Sequence, residues 1–272
     1  MDSSAPYPND TLRWVAAEVR YPPMEQLIAG PPPSFRESIR ERFPILEEQA
    51  QLSVSVGPIG PSAQQVLQHR FVARDRLMSV TVGRDALVVE TTDYAGWTAF
   101  NGIVLSLLRA LEAEARPDGI SRVGLRYVDE IRLPGNLATV EDWRGWIDDR
   151  LIAPFTLDHP AKLDNGTVVL QYNEAPGYST VFRAAPVSAG RTVQQEGALR
   201  MPVETPEGPY FLLDTDASWT DPERRIPEFG SERIIELFND LHAPCKRLYE
   251  DSITDRLRTE VLERPREEVF KS

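Results

Sequence analysis

Leu125-Arg126-Tyr127-Val128-Asp129-Glu130-Ile131-Arg132-Leu133-Pro134 repeats, with one residue deleted, the earlier run Leu12-Arg13-Trp14-Val15-Ala16-Ala17-Glu18-Val19-Arg20-Tyr21-Pro22. Both runs are rich in branched and aromatic residues, which suit a pleated and half-buried surface, and both stop at proline, which cannot donate to a central ladder. Each therefore reads as a β-strand closed by a turn. Their recurrence at a distance of about half the chain reads as an internal duplication.

The flanking sequence supports two copies of one module. After the first strand, Ser34 and Glu37 have capping-box spacing, and Phe35, Ile39 and Phe43 follow at helical intervals. Residues 52–56, 69–75, 78–83 and 86–92 read as short strands, the last three joined by links that allow only hairpins, an antiparallel meander. From Trp97 to Ala115 the positions Phe100, Val104, Leu107, Leu108 and Leu111 form one apolar stripe, which Pro117 and Gly119 end. The second strand is followed in the same order. Thr139 caps a short helix bearing Trp143 and Trp146, strands are expected near 168–172, 180–184, 198–203 and 210–214, and a long helix starts at Ser231. The predicted class is α+β: two tandem β-α-β4-α repeats, 1–119 and 120–272, forming a curved antiparallel sheet backed by helices. This order resembles the TATA-binding-protein fold over most of the chain, with helix-grip ligand binders as the neighbouring architecture. It is a likeness of topology and implies no activity.

Particular residues carry a second likeness. Glu-Val-Arg-Tyr-Pro-Pro at 18–23, Phe-Arg-Glu-Ser-Ile-Arg-Glu-Arg-Phe-Pro at 35–44, Thr-Thr-Asp-Tyr-Ala-Gly-Trp-Thr-Ala-Phe at 91–100 and Arg-Val-Gly-Leu-Arg-Tyr-Val-Asp-Glu-Ile at 122–131 resemble a sporadically distributed family of uncharacterised bacterial proteins. The likeness implies a bacterial origin and brings no mechanism.

Composition narrows the classes of partner. The 272 residues carry 42 acids against 30 bases, a formal charge of −12, so the average surface repels phosphate backbones and anionic lipid headgroups. Neither nucleic acid nor membrane is an expected partner. The single cysteine, Cys245, excludes an intrachain disulfide and a multi-cysteine zinc site. The beginning of the chain has no apolar stretch, and the run from Ile103 to Leu111 is too short to span a bilayer. A cytoplasmic location is expected.

Familiar chemistry is sparse. His69, His159 and His242 have no metal-ligand spacing, and Gly-x-Gly-x-x-Gly, Gly-x-x-x-x-Gly-Lys and Gly-x-Ser-x-Gly are all absent, so no metal or cofactor is expected. His242-Ala243-Pro244-Cys245 places an imidazole and a thiol on one helical face, as a cysteine nucleophile requires. Cys245 also continues the apolar spacing of Ile234, Phe238 and Leu241, and packing is the preferred reading. Asp214, Asp216, Asp221 and Glu223 have the chemistry of a divalent-cation site or an acid–base pair, but acids at strand ends ordinarily make turns and caps.

Strand alternation yields the expected site. Arg122, Arg126, Glu130 and Arg132 share one face of their strand, as Glu18 and Arg20 share a face of the duplicate, so a pseudo-twofold axis would bring Arg20 and Arg132 into one polar patch. Guanidinium forks suit a carboxylate, a phosphate or an acidic peptide; the competing reading is a face laced with Glu–Arg pairs. Tyr94 and Trp97, where a strand turns into a helix, would cover the sheet edge or line a pocket mouth. The sequence thus predicts a non-catalytic binding or accessory protein that holds a protein, a peptide or a small acidic ligand through Arg20, Arg126, Glu130, Arg132, Tyr94 and Trp97, with a second copy of itself as a further partner. The competitor is an enzyme acting on a small anionic substrate through convergent arginines and carboxylates.

Overall fold

Leu12–Arg20 (β1) and Arg122–Ile131 (β6) are both strands, and they pair with each other, antiparallel, in the middle of a sheet. The computed structural model describes residues 7–57, 60–135, 137–159, 163, 165–192, 199–203 and 208–270, with strand placement alone over 48–67. Outward from β1 on one side lie β5 (Ala86–Thr91), β4 (Met78–Val82), β3 (Gly60–Val72) and β2 (Ile45–Gly57); outward from β6 on the other lie β9 (Tyr210–Trp219), β8 (Tyr178–Val187) and β7 (Val168–Ala175). All nine strands run antiparallel to their neighbours. In both directions the chain leaves the central strand, reaches the far edge and returns by hairpins.

Two strand expectations are corrected. The β2–β3 hairpin begins at Ile45 and ends at Val72, longer than the expected 52–56 and 69–75, because the polar residues Glu47 and Gln68 take part in its ladder. Residues 199–203 are not a strand, so the second half has three described strands after β6 and not four; Ala198 lies outside the described residues. Pro202 removes a ladder donor, and Arg200 instead bonds to turns, its N–H donating to the Arg76 carbonyl at 2.7 Å and its carbonyl accepting from the Thr92 hydroxyl.

The helices lie on one face. Val123, Leu125 and Tyr127 of β6 enter one apolar cluster and Ile131 a second, and these four alternate with residues that point the other way. The first cluster packs α1 (Pro33–Ile39), α2 (Trp97–Glu114) and α4 (Ser231–Ser252) against β1, β4, β5 and β6 through Phe35, Leu108, Phe238 and Leu241. In the second, Trp143, Ile152 of α3 (Asp149–Ile152), Phe182, Phe211 and Leu257 meet. The apolar stripe of α2 is as expected, and Thr139 caps the turn that carries Trp143. Ser34 is not a cap: α1 starts at Pro33, whose fixed φ suits the first helical position. Among the described residues no helix is long and apolar enough to cross a membrane.

Candidate functional site

The face of the sheet opposite the helices carries the charged side chains, and a bulge in β1 decides which of them take part. Leu12 pairs with Asp129 and Trp14 with Val128, so Arg13 is the extra residue. A bulge breaks the alternation, and here Arg13 and Trp14 both join the open face, Arg13 beside Glu130 and Trp14 under the Arg126 guanidinium at 5.7 Å. Plain alternation would have sent one of the two to the helix side.

Three clusters run along this face. At one end Glu18 accepts from both Arg20, at 2.9 Å, and Arg122, which also approaches Asp216 at 3.7 Å. Gly124 leaves room for this: a Cβ there would lie 2.5 Å from Arg122 Nη1. In the middle Arg126 grips Asp214 with two bonds of 2.7 and 2.8 Å, and Arg183 approaches the same carboxylate at 3.3 Å. At the other end Glu130 pairs with Arg132 at 3.0 Å and lies 4.0 Å from Arg13. Here the segment between β8 and β9 folds over: Arg132 donates to the carbonyls of Gly190 and Gly208, Glu130 accepts from the Thr192 N–H, and the Tyr210 ring covers the Arg132 guanidinium at 4.7 Å.

Arg20 and Arg132 do not meet. The antiparallel register sets Arg20 opposite Arg122, and the ten residues from Arg122 to Arg132 span about 33 Å at ordinary strand rise. The two lie at opposite ends of the central strand pair. They differ in access: the Arg20 side chain is 50% exposed and the Arg132 side chain 6%. Arg126, at 41%, and Arg183, at 36%, complete the accessible row with Arg122. Arg183 belongs to it through the pairing of β8 with β9, which sequence spacing does not reveal.

Tyr94 and Trp97 belong to the helix side. Tyr94 packs edge-on against Tyr127, and Trp97 stacks on His242 with ring centres 4.4 Å apart. The Tyr127 hydroxyl and His242 Nδ1 share a hydrogen bond of 2.9 Å, and the Trp97 indole donates to Asn239. Burial, with help from the Lys246 charge, holds the His242 imidazole down at about 4, so it is neutral at pH 7. Burial likewise pushes the Cys245 thiol up, away from the thiolate that a nucleophile needs. Asp129 sits on this side between the two apolar clusters, accepting from the Thr11 hydroxyl at 3.0 Å; burial raises it to about 8, and the charge of Asp10 adds to the shift.

The acids with the chemistry of a cation site are otherwise engaged: Asp214 with Arg126 and Arg183, Asp216 with Arg122, and Asp221 with the N–H groups of Glu223 and Arg225. Among the described residues no group of three or more His, Cys, Asp or Glu side chains is placed to hold a metal ion. The chain matches no protein-family model and no curated protein.

Proposed function

We propose that this is a non-catalytic binding protein that takes an acidic segment of a partner protein on the open face of its central strands. One observation carries the reading. Four partly exposed guanidinium groups, those of Arg20, Arg122, Arg126 and Arg183, stand on one face among the carboxylates of Glu18, Asp214 and Asp216, with the charge of Asp85 also acting on Arg20, in a chain whose formal charge is −12. A concentration of guanidinium groups on an acidic body steers an anionic partner to one place and disfavours the rest of the surface. The four groups are spread over β1, β6 and β8, so their span suits an extended chain better than a compact anion. The burial of Cys245 in the apolar packing and the stacking of His242 on Trp97 support a binding role over a catalytic one.

The architecture behind this row is, we infer, two tandem repeats of the β-α-β4-α type, 1–119 and 120–272, fused so that their first strands pair about a pseudo-twofold axis. Leu12 matches Leu125 and Ala17 matches Asp129 in the repeated run; in the ladder Leu12 faces Asp129 and Ala17 faces Leu125, so exchange of the copies maps one pair onto the other. The ion pairs within each strand follow the same exchange, Glu18 with Arg20 and Glu130 with Arg132. The cross-strand ones do not: Arg13, beside Glu130, matches Arg126 in the repeated run, and not the Arg122 that reaches Glu18. The lone buried thiol of Cys245 fits a reducing compartment, and the cytoplasm is the proposed location.

The test uses an acetylated peptide of consecutive glutamates with a fluorescent label, measured by anisotropy at low salt. Wild-type protein is expected to bind it with an affinity that falls as salt rises, and Arg126→Gln with Arg183→Gln is expected to weaken binding by about tenfold or more, the scale of one lost charge-assisted contact. Binding unchanged in the double variant, or absent at low salt, refutes the reading.

A further inference from the structure

Helix α4 carries Pro244 in its second half, and the helix runs on through it. Proline supplies no N–H to the carbonyl one turn before it, here that of Asp240, and its ring needs space on that side. An open cleft of about 220 Å³ lies beside this turn, between α4 and the β7–β8 hairpin. Its lining includes Thr180, whose side chain is buried with the residue only 1% exposed, and whose hydroxyl has no hydrogen-bond partner among the described residues. A buried hydroxyl without a partner has lost its water and gained nothing, and such groups are uncommon unless something else satisfies them.

The mouth of the cleft carries opposite charges. Asp240 is held by the Tyr178 hydroxyl, which donates to it at 2.9 Å. Glu174 and Arg247 also line the cleft, and among the described residues neither has an ion-pair or hydrogen-bond partner. The floor between them is apolar, built from Leu241 and the Pro244 ring. Anionic acceptors, a guanidinium fork and an apolar floor in one small space match a molecule that carries an ammonium group, a carboxylate and a short hydrocarbon. The volume equals about seven waters' share of liquid and is below the roughly 300 Å³ at which drug-sized pockets begin, which limits the occupant to the size of one amino acid.

We propose that this cleft binds a free aliphatic α-amino acid, with Arg247 holding the carboxylate, Glu174 and Asp240 the ammonium group, and Thr180 and the Asp240 carbonyl bonding at the base. The site lies apart from the arginine row and stands whether or not that row binds an acidic partner.

Calorimetry with L-alanine, L-valine, L-leucine and L-methionine at millimolar concentration tests it, with isopentylamine and 4-methylpentanoate as the forms of leucine that lack one charged group. At least one amino acid is expected to bind, and each single-charge analogue to bind about tenfold weaker or worse. Arg247→Gln is expected to weaken the amino acid and leave isopentylamine unchanged, and Glu174→Gln to weaken the amino acid and leave 4-methylpentanoate unchanged. Thr180→Val supplies a readout that a purely structural role would not give: it removes an unpartnered hydroxyl, so thermal stability should hold or rise while amino-acid affinity falls. No heat from any of the four amino acids, or an analogue that binds as tightly as leucine, overturns the proposal.

Discussion

The two ends of the central strand pair carry the same constellation in different surroundings. One glutamate takes an arginine two residues along its own strand and a second arginine from the facing strand: Glu18 with Arg20 and Arg122, Glu130 with Arg132 and Arg13. At the Glu18 end the side chains meet water. At the Glu130 end the carboxylate is 2% exposed, the β8–β9 segment donates and accepts hydrogen bonds over it, and the Nε atoms of Arg13 and Arg132 are buried with no hydrogen-bond partner among the described residues. The comparison separates what a charge pair is from what it is worth. Water around the exposed pair supplies most of what either ion loses on separation, whereas nothing replaces the buried carboxylate. The exposed end is therefore free to exchange partners, and the buried end fastens a chain segment.

Replacing each glutamate in turn breaks the comparison most directly. Glu130→Gln leaves two buried guanidinium groups with a neutral neighbour and is expected to lower stability by about 3–5 kcal/mol, read from denaturant unfolding. A loss below about 1 kcal/mol there would mean that water already reaches that end. Asp129, the residue before Glu130 on β6 and on the opposite face, sharpens the point because burial outweighs the attraction of the Arg13 charge. Its carboxyl is raised to about 8 in the folded protein against about 3.9 unfolded, so the folded state binds more protons between those values and stability falls as pH rises through that window, by at most about 1.4 kcal/mol per pH unit. Asp129→Asn should match wild type near pH 4 and exceed it increasingly toward pH 8; parallel pH profiles of the two proteins would disprove the assignment.

Much of this arrangement is legible in the residues themselves. Val123, Leu125 and Tyr127 alternate with Arg122 and Arg126 as a half-buried strand requires, and the α2 stripe follows from helical spacing alone. The glutamate–arginine lacing of the open face was foreseen as the competing reading of the arginine patch. What failed to show was set by pairing and not by local sequence. Register placed Arg20 beside Arg122 and not Arg132, a bulge moved Arg13 to the open face, and strand neighbours brought Arg183 to Asp214. Residues 199–203 have strand-like side chains, yet the N–H and carbonyl of Arg200 bond to the Arg76 carbonyl and the Thr92 hydroxyl instead of a ladder. Burial of the Glu130 cluster depends on a segment about sixty residues farther along, so nothing in the sequence near Glu130 distinguishes it from Glu18.

The smaller effects belong to the exposed end. Burial works to raise the Glu18 carboxyl, but the hydrogen bonds and charges of Arg20 and Arg122 outweigh it and hold it below the usual range. A depressed carboxyl contributes stability above its unfolded value of about 4.3 and loses it as pH falls below that. Glu18→Gln is expected to cost about 1 kcal/mol at pH 7, with the difference from wild type shrinking in acid. Arg20→Gln should cost less again, about 0.5 kcal/mol or below, because Arg20 is half exposed and Arg122 still reaches Glu18. If Arg20→Gln instead destabilises as much as Glu130→Gln, the two ends are energetically alike, and the distinction between an exchangeable end and a fastened end fails, since it rests on solvent access alone.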